Sequence, residues 1–365
     1  MRFTWKASIT RKKCWTHKHP EILDNMDHKT IRFSASSTEF FFGAAFSRLK
    51  KLSPQASTII ITDDHVFDAH TEKFRDWNVI VIRPGEEHKV QETVDELILQ
   101  LLEMQADRQT TLVGVGGGVI TDITGYTASV YMRGLRFGFI PTSILALVDA
   151  SIGGKNGIDV GDYKNMVGTV RQPAFILHDI SLLESLPDQE WTNGFAEVIK
   201  HACITDLSMF RQLEKHTVTD YRTDKKLLTE LISRNAMIKT KVVQRDEFEK
   251  GDRKLLNFGH TLGHAIETQY ELSHGEAISI GMTAACQISE DLTGFSQTDR
   301  VTTLLGQYGL PTYAEFDRSK VFEVLKMDKK RDRKTMNYVL LDKIGKASIH
   351  AVPLKKLEKI IHTLD

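Results

Sequence analysis

The chain has 365 residues, 41% of them hydrophobic and 26% charged, with 48 basic side chains balancing 48 acidic ones. That length and composition suit two domains of ordinary size and exclude a disordered or low-complexity chain. A net charge of zero argues against a basic nucleic-acid binder, and three scattered cysteines (Cys14, Cys203, Cys286) are too few for a disulfide framework or a cysteine-rich zinc site.

Residues 1–20 are basic but carry neither an apolar core nor a small-residue cleavage pattern, so no secretory leader is expected. No run has the uninterrupted apolar length of a membrane span; the nearest, 137–152, is broken by Pro141 and Asp149. A cytoplasmic protein with neither membrane nor nucleic-acid partners is expected. Short β-branched runs at 57–64, 78–85 and 110–118 read as strands ending in Gly, Pro or Asp. Between them His65–Asp76 and Glu86–Gln105 have helical spacing, the second with Val90, Val94, Leu97, Ile98, Leu101 and Leu102 on one stripe. Strands alternating with helices predict a parallel sheet covered by helices, in an order the pattern does not give.

The third strand closes in Val113-Gly114-Val115-Gly116-Gly117-Gly118 and opens a helix at Val119. Glycines there let the backbone approach a diphosphate, and the helix N-terminus offers free N–H groups. A tight turn packed on the sheet explains the same residues, and the spacing departs from the G-x-G-x-x-G fingerprint. Arg83–Lys89 follows another strand end and is expected along the same crevice. Next, Asp149 and Lys155 flank a Gly-Gly step inside an apolar run. They read as a structural ion pair, or as a site where Lys155 holds an anion with help from Lys164-Asn165.

The pattern changes near residue 180. Ser181 with Glu184 reads as a capping box, and helical stretches follow at Gly194–Thr205, Leu227–Arg245, Gly259–Tyr270 and Glu276–Leu292. Strand-like residues return only at 336–341. The expected architecture is an α/β protein: an N-terminal Rossmann-like parallel-sheet domain over 1–180, then a mostly α-helical metal-binding domain over 181–365.

His260 and His264 lie four positions apart on one helix face, a spacing that can chelate a divalent metal given a third ligand. His274 is 14 residues beyond His260, or about 21 Å along a continuous helix. The chain must therefore turn back, and 269–273 is the place for it. Glu197 on Ala196-Glu197-Val198-Ile199-Lys200-His201 offers an oxygen ligand. Spacing does not say whether His260, His264 or both are ligands, and His201, four after Glu197, adds another candidate.

Taken together, GVGGGVITDITGY, YMRG, PTSILALVDASIGGKNGID, NGFAEVIK, LLNFGHTLGHAIE and HGEAISIGM resemble the 3-dehydroquinate synthase family, within the sugar-phosphate cyclases of glycerol-dehydrogenase-like fold. The resemblance runs from about Pro84 to Gly345. It implies an NAD-binding α/β domain, a helical metal-binding domain and a cleft between them, with zinc or alternatively cobalt as the metal, in a homodimer. It implies conversion of 3-deoxy-D-arabino-heptulosonate 7-phosphate, a phosphorylated sugar acid, to 3-dehydroquinate and phosphate in the shikimate route to chorismate and the aromatic amino acids.

Carried over by motif, the implied metal ligands are Glu197, His260 and His274, with His264 on the substrate side. Asp149, Lys155, Lys239, Arg253 and Asn257 match substrate-contacting positions, and Arg133 matches an arginine offered to the neighbouring subunit's phosphate site. Asp63, Glu86, Lys89, Gly117, Gly118, Asp122, Thr142, Ser143, Lys155, Lys164, Ser185 and Leu186 match cofactor-lining positions. His65 stands where the family commonly has Asn, and the basic run 328–334 is expected to supply a late phosphate-binding lysine. Two alternatives share the fold. One is another sugar-phosphate cyclase, a group whose members often lack equivalents of Asn257 and His264. The other is a metal-dependent polyol dehydrogenase, which would release NADH.

Overall fold

The computed structural model describes residues 27–161, 163–326, 331–332 and 334–363. Seven strands form one sheet in the order β1-β2-β9-β6-β5-β3-β4. They are β1 (Asp27–Arg32), β2 (Ser37–Phe42), β3 (Thr58–Asp63), β4 (Asn78–Ile82), β5 (Thr111–Gly116), β6 (Arg136–Pro141) and β9 (Phe175–His178). β1 pairs antiparallel with β2, and every other pairing is parallel. β3 and β5 are buried at every position, as parallel strands covered on both faces must be. One face packs on Val94, Leu97, Leu101, Ile120 and Ile123 of the helices Gln91–Glu103 and Gly118–Val130. The other packs on Phe46, Leu49, Phe74 and Leu182. β4 and β5 lie on opposite sides of β3, so the sheet reverses its winding there and leaves a crevice beyond the carboxyl ends of β3 and β5.

The three expected strands are present with trimmed ends. The expected helix at Glu86 begins only at Gln91, after a single turn at Glu86–His88. The region 65–76 breaks into two short helices, Asp64–Ala69 and Thr71–Phe74. A two-stranded hairpin, the largely buried β7 (Lys155–Val160) with the exposed β8 (Tyr163–Val170), follows the Asp149 region, and the sequence pattern gave no sign of it.

Helices dominate from Asp188 onward: Asp188–Thr205, Lys225–Arg245, His260–Glu267 and His274–Thr293 match the expected stretches within a few residues at most ends. A small sheet over Thr335–Lys343 and Lys346–Pro353, with Arg331–Asp332 at its edge, lies near the end of the chain. The Ser181–Glu184 capping box does not form. Asp179 caps that turn by accepting from the Ser181 amide at 3.0 Å, and Glu184 pairs with Lys225 on the surface. Capping boxes occur instead at Thr217–Asp220 and Ser273–Glu276. Packing crosses residue 180 in both directions. Ile144, Leu147 and Val148 belong to the helical core, and Ala236 packs into the sheet core. Among the described residues no helix is long and apolar enough to cross a membrane.

Candidate active site

The sheet wall of the cleft begins at the glycine turn. Gly116 ends β5, its carbonyl accepts from the Thr142 amide at 3.0 Å, and Gly117 precedes the helix Gly118–Val130. Gly116 and Gly117 differ in purpose. A Cβ on Gly116 would lie 2.4 Å from Ile120, whereas one on Gly117 meets nothing nearer than Ser143 Oγ at 3.6 Å. Gly116 is therefore needed for packing, and Gly117 keeps open a space beside the helix N-terminus, the shape that admits an anionic group. Thr142 and Ser143 are buried beside it, and Ser143 Oγ accepts from the Ala146 amide.

Asp122, on the same helix, pairs with buried Lys89 at 2.8 Å, and Lys89 also reaches Glu86 at 3.3 Å. Burial lifts the Asp122 carboxyl to about 6 against the pull of Lys89. Asp63 caps the next helix by accepting from Val66, and Ser185 Oγ lies 2.8 Å from His70 Nε2. Leu186 follows it, partly buried.

The helical wall is a dense cluster of charge. Asp149 sits in the wide turn Ala146–Ala150, one residue from Ala150, whose Cβ lies 3.4 Å from a Cβ placed on Gly118. The two walls therefore meet here. Lys239 donates to both the Asp149 carboxylate and its backbone carbonyl, each at 2.7 Å. Lys200 pairs with Glu197 and reaches Asp149 at 3.7 Å, and His201 Nε2 stands 3.4 Å from Asp149. Burial would raise both carboxyls, but Lys239 and Lys200 hold Asp149 far below its ordinary range, and Lys200 and His260 do the same for Glu197. Lys239 is lowered by burial and by the cations Lys200 and Arg253 beside it. Arg253 donates to the carbonyls of Gly153 and Glu247.

Three segments bring the imidazoles to this cluster. Gly259, at φ +80°, turns the chain into the short helix that carries His260 and His264. Gly281 lets the next helix approach so closely that a Cβ there would sit 1.9 Å from the Gly259 carbonyl. The chain turns back across 269–273, as expected, and Ser273 bonds Asn193 Oδ1 at 2.5 Å. His274 thereby opens its helix beside the one that carries Glu197.

Glu197 Oε1 lies 3.3 Å from His260 Nε2 and 3.2 Å from His274 Nε2. The Phe258 carbonyl, 3.1 Å from His260 Nδ1, places the proton on that nitrogen, and burial lowers the imidazole to about 4. A neutral Nε2 lone pair therefore faces a carboxylate oxygen, a contact of two acceptors that a shared cation makes favourable. Burial would lower His274, but its bonds to Glu197 and Glu267 raise it to about 9. Glu267, 3.6 Å from His274 Nδ1, orients that ring as carboxylates orient metal-bound histidines.

Among the described residues two other sets of donors also lie within 4.8 Å of one another: His264 with Glu267 and His274, and Asp149 with Glu197 and His201. Lys200 already neutralises the second. In the first, Glu267 is engaged by Lys164 at 2.8 Å, so Lys164 does not join Lys155 as the sequence suggested. His264 is exposed at the mouth, its ring centroid 4.9 Å from that of His260. Lys155 and Asn257 meet through Glu249, and Arg133 is exposed on the turn Tyr131–Arg133. Of the late basic run, Lys329, Lys330 and Arg333 lie outside the described residues, and Lys334 is exposed.

Sequence reasoning missed Lys200, Glu249 and Glu267 as partners. The Lys200 signal was present: a charged pair at i,i+3 within the apolar run FAEVIKHACI has to be buried together.

The family models described as 3-dehydroquinate synthase N-terminal and C-terminal match residues 79–193 and 194–331. A 3-dehydroquinate synthase from Nitrosospira multiformis is 39% identical over 322 residues, covering 84% of this chain and 88% of that protein. Among solved structures, 2-deoxy-scyllo-inosose synthase complexed with carbaglucose-6-phosphate, NAD+ and Co2+ superposes with TM-score 0.79 at 26% identity, covering 92% of this chain and 99% of the other. The 2-epi-5-epi-valiolone synthase from Streptomyces hygroscopicus, with NAD+ and Zn2+ bound, gives 0.82 at 25%, covering 92% and 98%.

Proposed function

The chain belongs to the 3-dehydroquinate synthase family, and from that premise we propose that this cleft turns 3-deoxy-D-arabino-heptulosonate 7-phosphate into 3-dehydroquinate and phosphate. The observation that carries the reading is the meeting of Glu197 Oε1 with His260 Nε2 and His274 Nε2 beside the Asp149 cluster. Gly117, Gly118, Thr142, Ser143 and the Lys89–Asp122 pair would hold NAD at the glycine turn, and Glu197, His260 and His274 would hold zinc or cobalt. Bound there, NAD would supply reversible hydride transfer and the cation Lewis-acid polarisation of a substrate hydroxyl.

The protein side chains orient the substrate. Asp149, fixed as a carboxylate by Lys239 and Lys200, accepts hydrogen bonds from substrate hydroxyls, and Arg253 and Lys239 hold anionic oxygens. Lys155, Asn257 and His264 grip the phosphate, joined by Arg133 from a neighbouring subunit. Charge-assisted bonds of this kind contribute roughly 1.5–3 kcal/mol each. The division near residue 180 into a cofactor half and a metal half, cytoplasmic location and assembly as a homodimer belong to the same reading. The exposed apolar residues Val130 and Met132 beside Arg133, and Tyr163, Met166 and Val170 on β8, support the last of these.

The test is direct. The protein, supplied with the heptulosonate phosphate, NAD and zinc, is expected to release phosphate and ring product in equal amounts with no net NADH. Stoichiometric NADH without phosphate would instead identify a polyol dehydrogenase.

A further inference from the structure

The segment between the helix Lys225–Arg245 and the turn Asp252–Asn257 is wound with unusual firmness for a loop. The Asp246 carboxylate accepts from the backbone amides of Lys250, Gly251 and Arg253 at 2.8, 2.6 and 3.0 Å. Glu247 is tied to the Ser34 amide and hydroxyl and to Gln172. Between these anchors Glu249 adopts φ +58°, a left-handed conformation unfavourable for a side chain of its kind. Such a conformation persists where the surroundings impose it. Here it presents the Glu249 carboxylate with Oε2 on Lys155 Nζ and Oε1 2.9 Å from Asn257 Nδ2.

We propose that Glu249 is an internal placeholder for the substrate's phosphate, holding Lys155 and Asn257 in position and yielding them only to an incoming oxyanion. The inference rests on the reading of Lys155 and Asn257 as phosphate ligands. A carboxylate that gives one oxygen to an ammonium and the other to an amide spans the same two donors as two phosphate oxygens do. A phosphate dianion and a carboxylate cannot share them, since like charges a few ångströms apart repel. With the loop pinned by Asp246 and Glu247, the exchange needs only rotation of the Glu249 side chain.

The arrangement also confers selectivity. A neutral sugar hydroxyl cannot displace a paired carboxylate, whereas a dianion can, so Glu249 screens for phosphorylated substrates. An ordinary structural ion pair makes the opposite prediction, because its loss would loosen Lys155 and weaken anion binding.

The experiment titrates inorganic phosphate into the NAD- and zinc-loaded protein by calorimetry, comparing wild type with Glu249→Gln, Glu249→Ala and Lys155→Ala. Both Glu249 variants are expected to bind phosphate roughly tenfold more tightly than wild type, the equivalent of one competing charge-assisted contact removed. Lys155→Ala is expected to lose most of the binding. Unchanged or weaker phosphate binding in the Glu249 variants, with Lys155→Ala still impaired, overturns the placeholder and leaves the phosphate pocket standing. Phosphate binding indifferent to Lys155→Ala overturns the pocket reading beneath it.

Discussion

The sheet wall of the cleft works through backbone and empty space, and the helical wall works through charge. At Gly117 the first wall has left out a side chain; the second has buried Lys200, Glu197 and Lys239 against a half-buried Asp149. The difference sets what each wall tolerates. A wall of backbone keeps its shape when side chains elsewhere change but fails wherever a Cβ intrudes. A wall of compensating ions keeps its shape only while every partner is present, because each buried charge is costly once unpaired.

The sharpest way to break this contrast is on the helical wall. His260→Ala is expected to lower turnover at least a thousandfold and to deplete bound metal, with the melting temperature shifted by only a few degrees. Full zinc occupancy in that variant, by elemental analysis, would remove His260 from the ligand set. Lys200→Met is next. It leaves Glu197 and Asp149 facing each other, so the metal-free protein should lose about 3–5 kcal/mol of stability in denaturant titrations, and added zinc should restore part of it. No loss would mean that Lys200 is not the counter-ion that fixes both carboxylates.

Neighbouring glycines sharpen the contrast on the sheet wall. Gly116→Ala drives a methyl group into Ile120 and should cost about 1–3 kcal/mol of stability. Gly117→Ala should fold normally and weaken NAD binding by roughly tenfold or more while substrate affinity is spared. Lys155→Ala should do the reverse, and equilibrium binding of each ligand to each variant checks the crossing.

How much of this was legible beforehand differs between the walls as well. The glycine turn, the strands around it and the helices carrying Glu197, His260 and His274 stand out in the sequence because their spacing is local. The ion pairs that make those residues work do not. Lys200 with Asp149, Lys164 with Glu267 and Lys155 with Glu249 join residues 51, 103 and 94 positions apart, separations at which periodicity carries no signal. The hairpin β7–β8 was hidden for a different reason: β7 is buried at all of its inner positions and β8 is exposed along almost its whole length, so neither shows the two-residue alternation that marks a half-buried strand. Ser181 and Glu184 have the spacing of a capping box, but Asp179 satisfies the same amide from two residues earlier.

The effect spread most thinly across conditions concerns His178, a histidine on the sheet side. His178 is fully buried on β9, its ring tilted against Phe42, and burial lowers it to about 4. In the unfolded chain an imidazole takes its proton near pH 6.5. The unfolded state therefore binds more protons between 6.5 and 4, and stability falls as pH drops through that window, by roughly 3 kcal/mol at most. Denaturant midpoints measured across that range should decline less steeply in His178→Gln.

One measurement bears on the central claim more directly than any of these. Crystals grown with zinc, examined by anomalous scattering at the zinc edge, should show a single strong peak about 2.0–2.2 Å from Glu197 Oε1, His260 Nε2 and His274 Nε2. A peak lodged instead among His264, Glu267 and His274, or among Asp149, Glu197 and His201, would contradict the assignment on which the chemistry of the cleft depends.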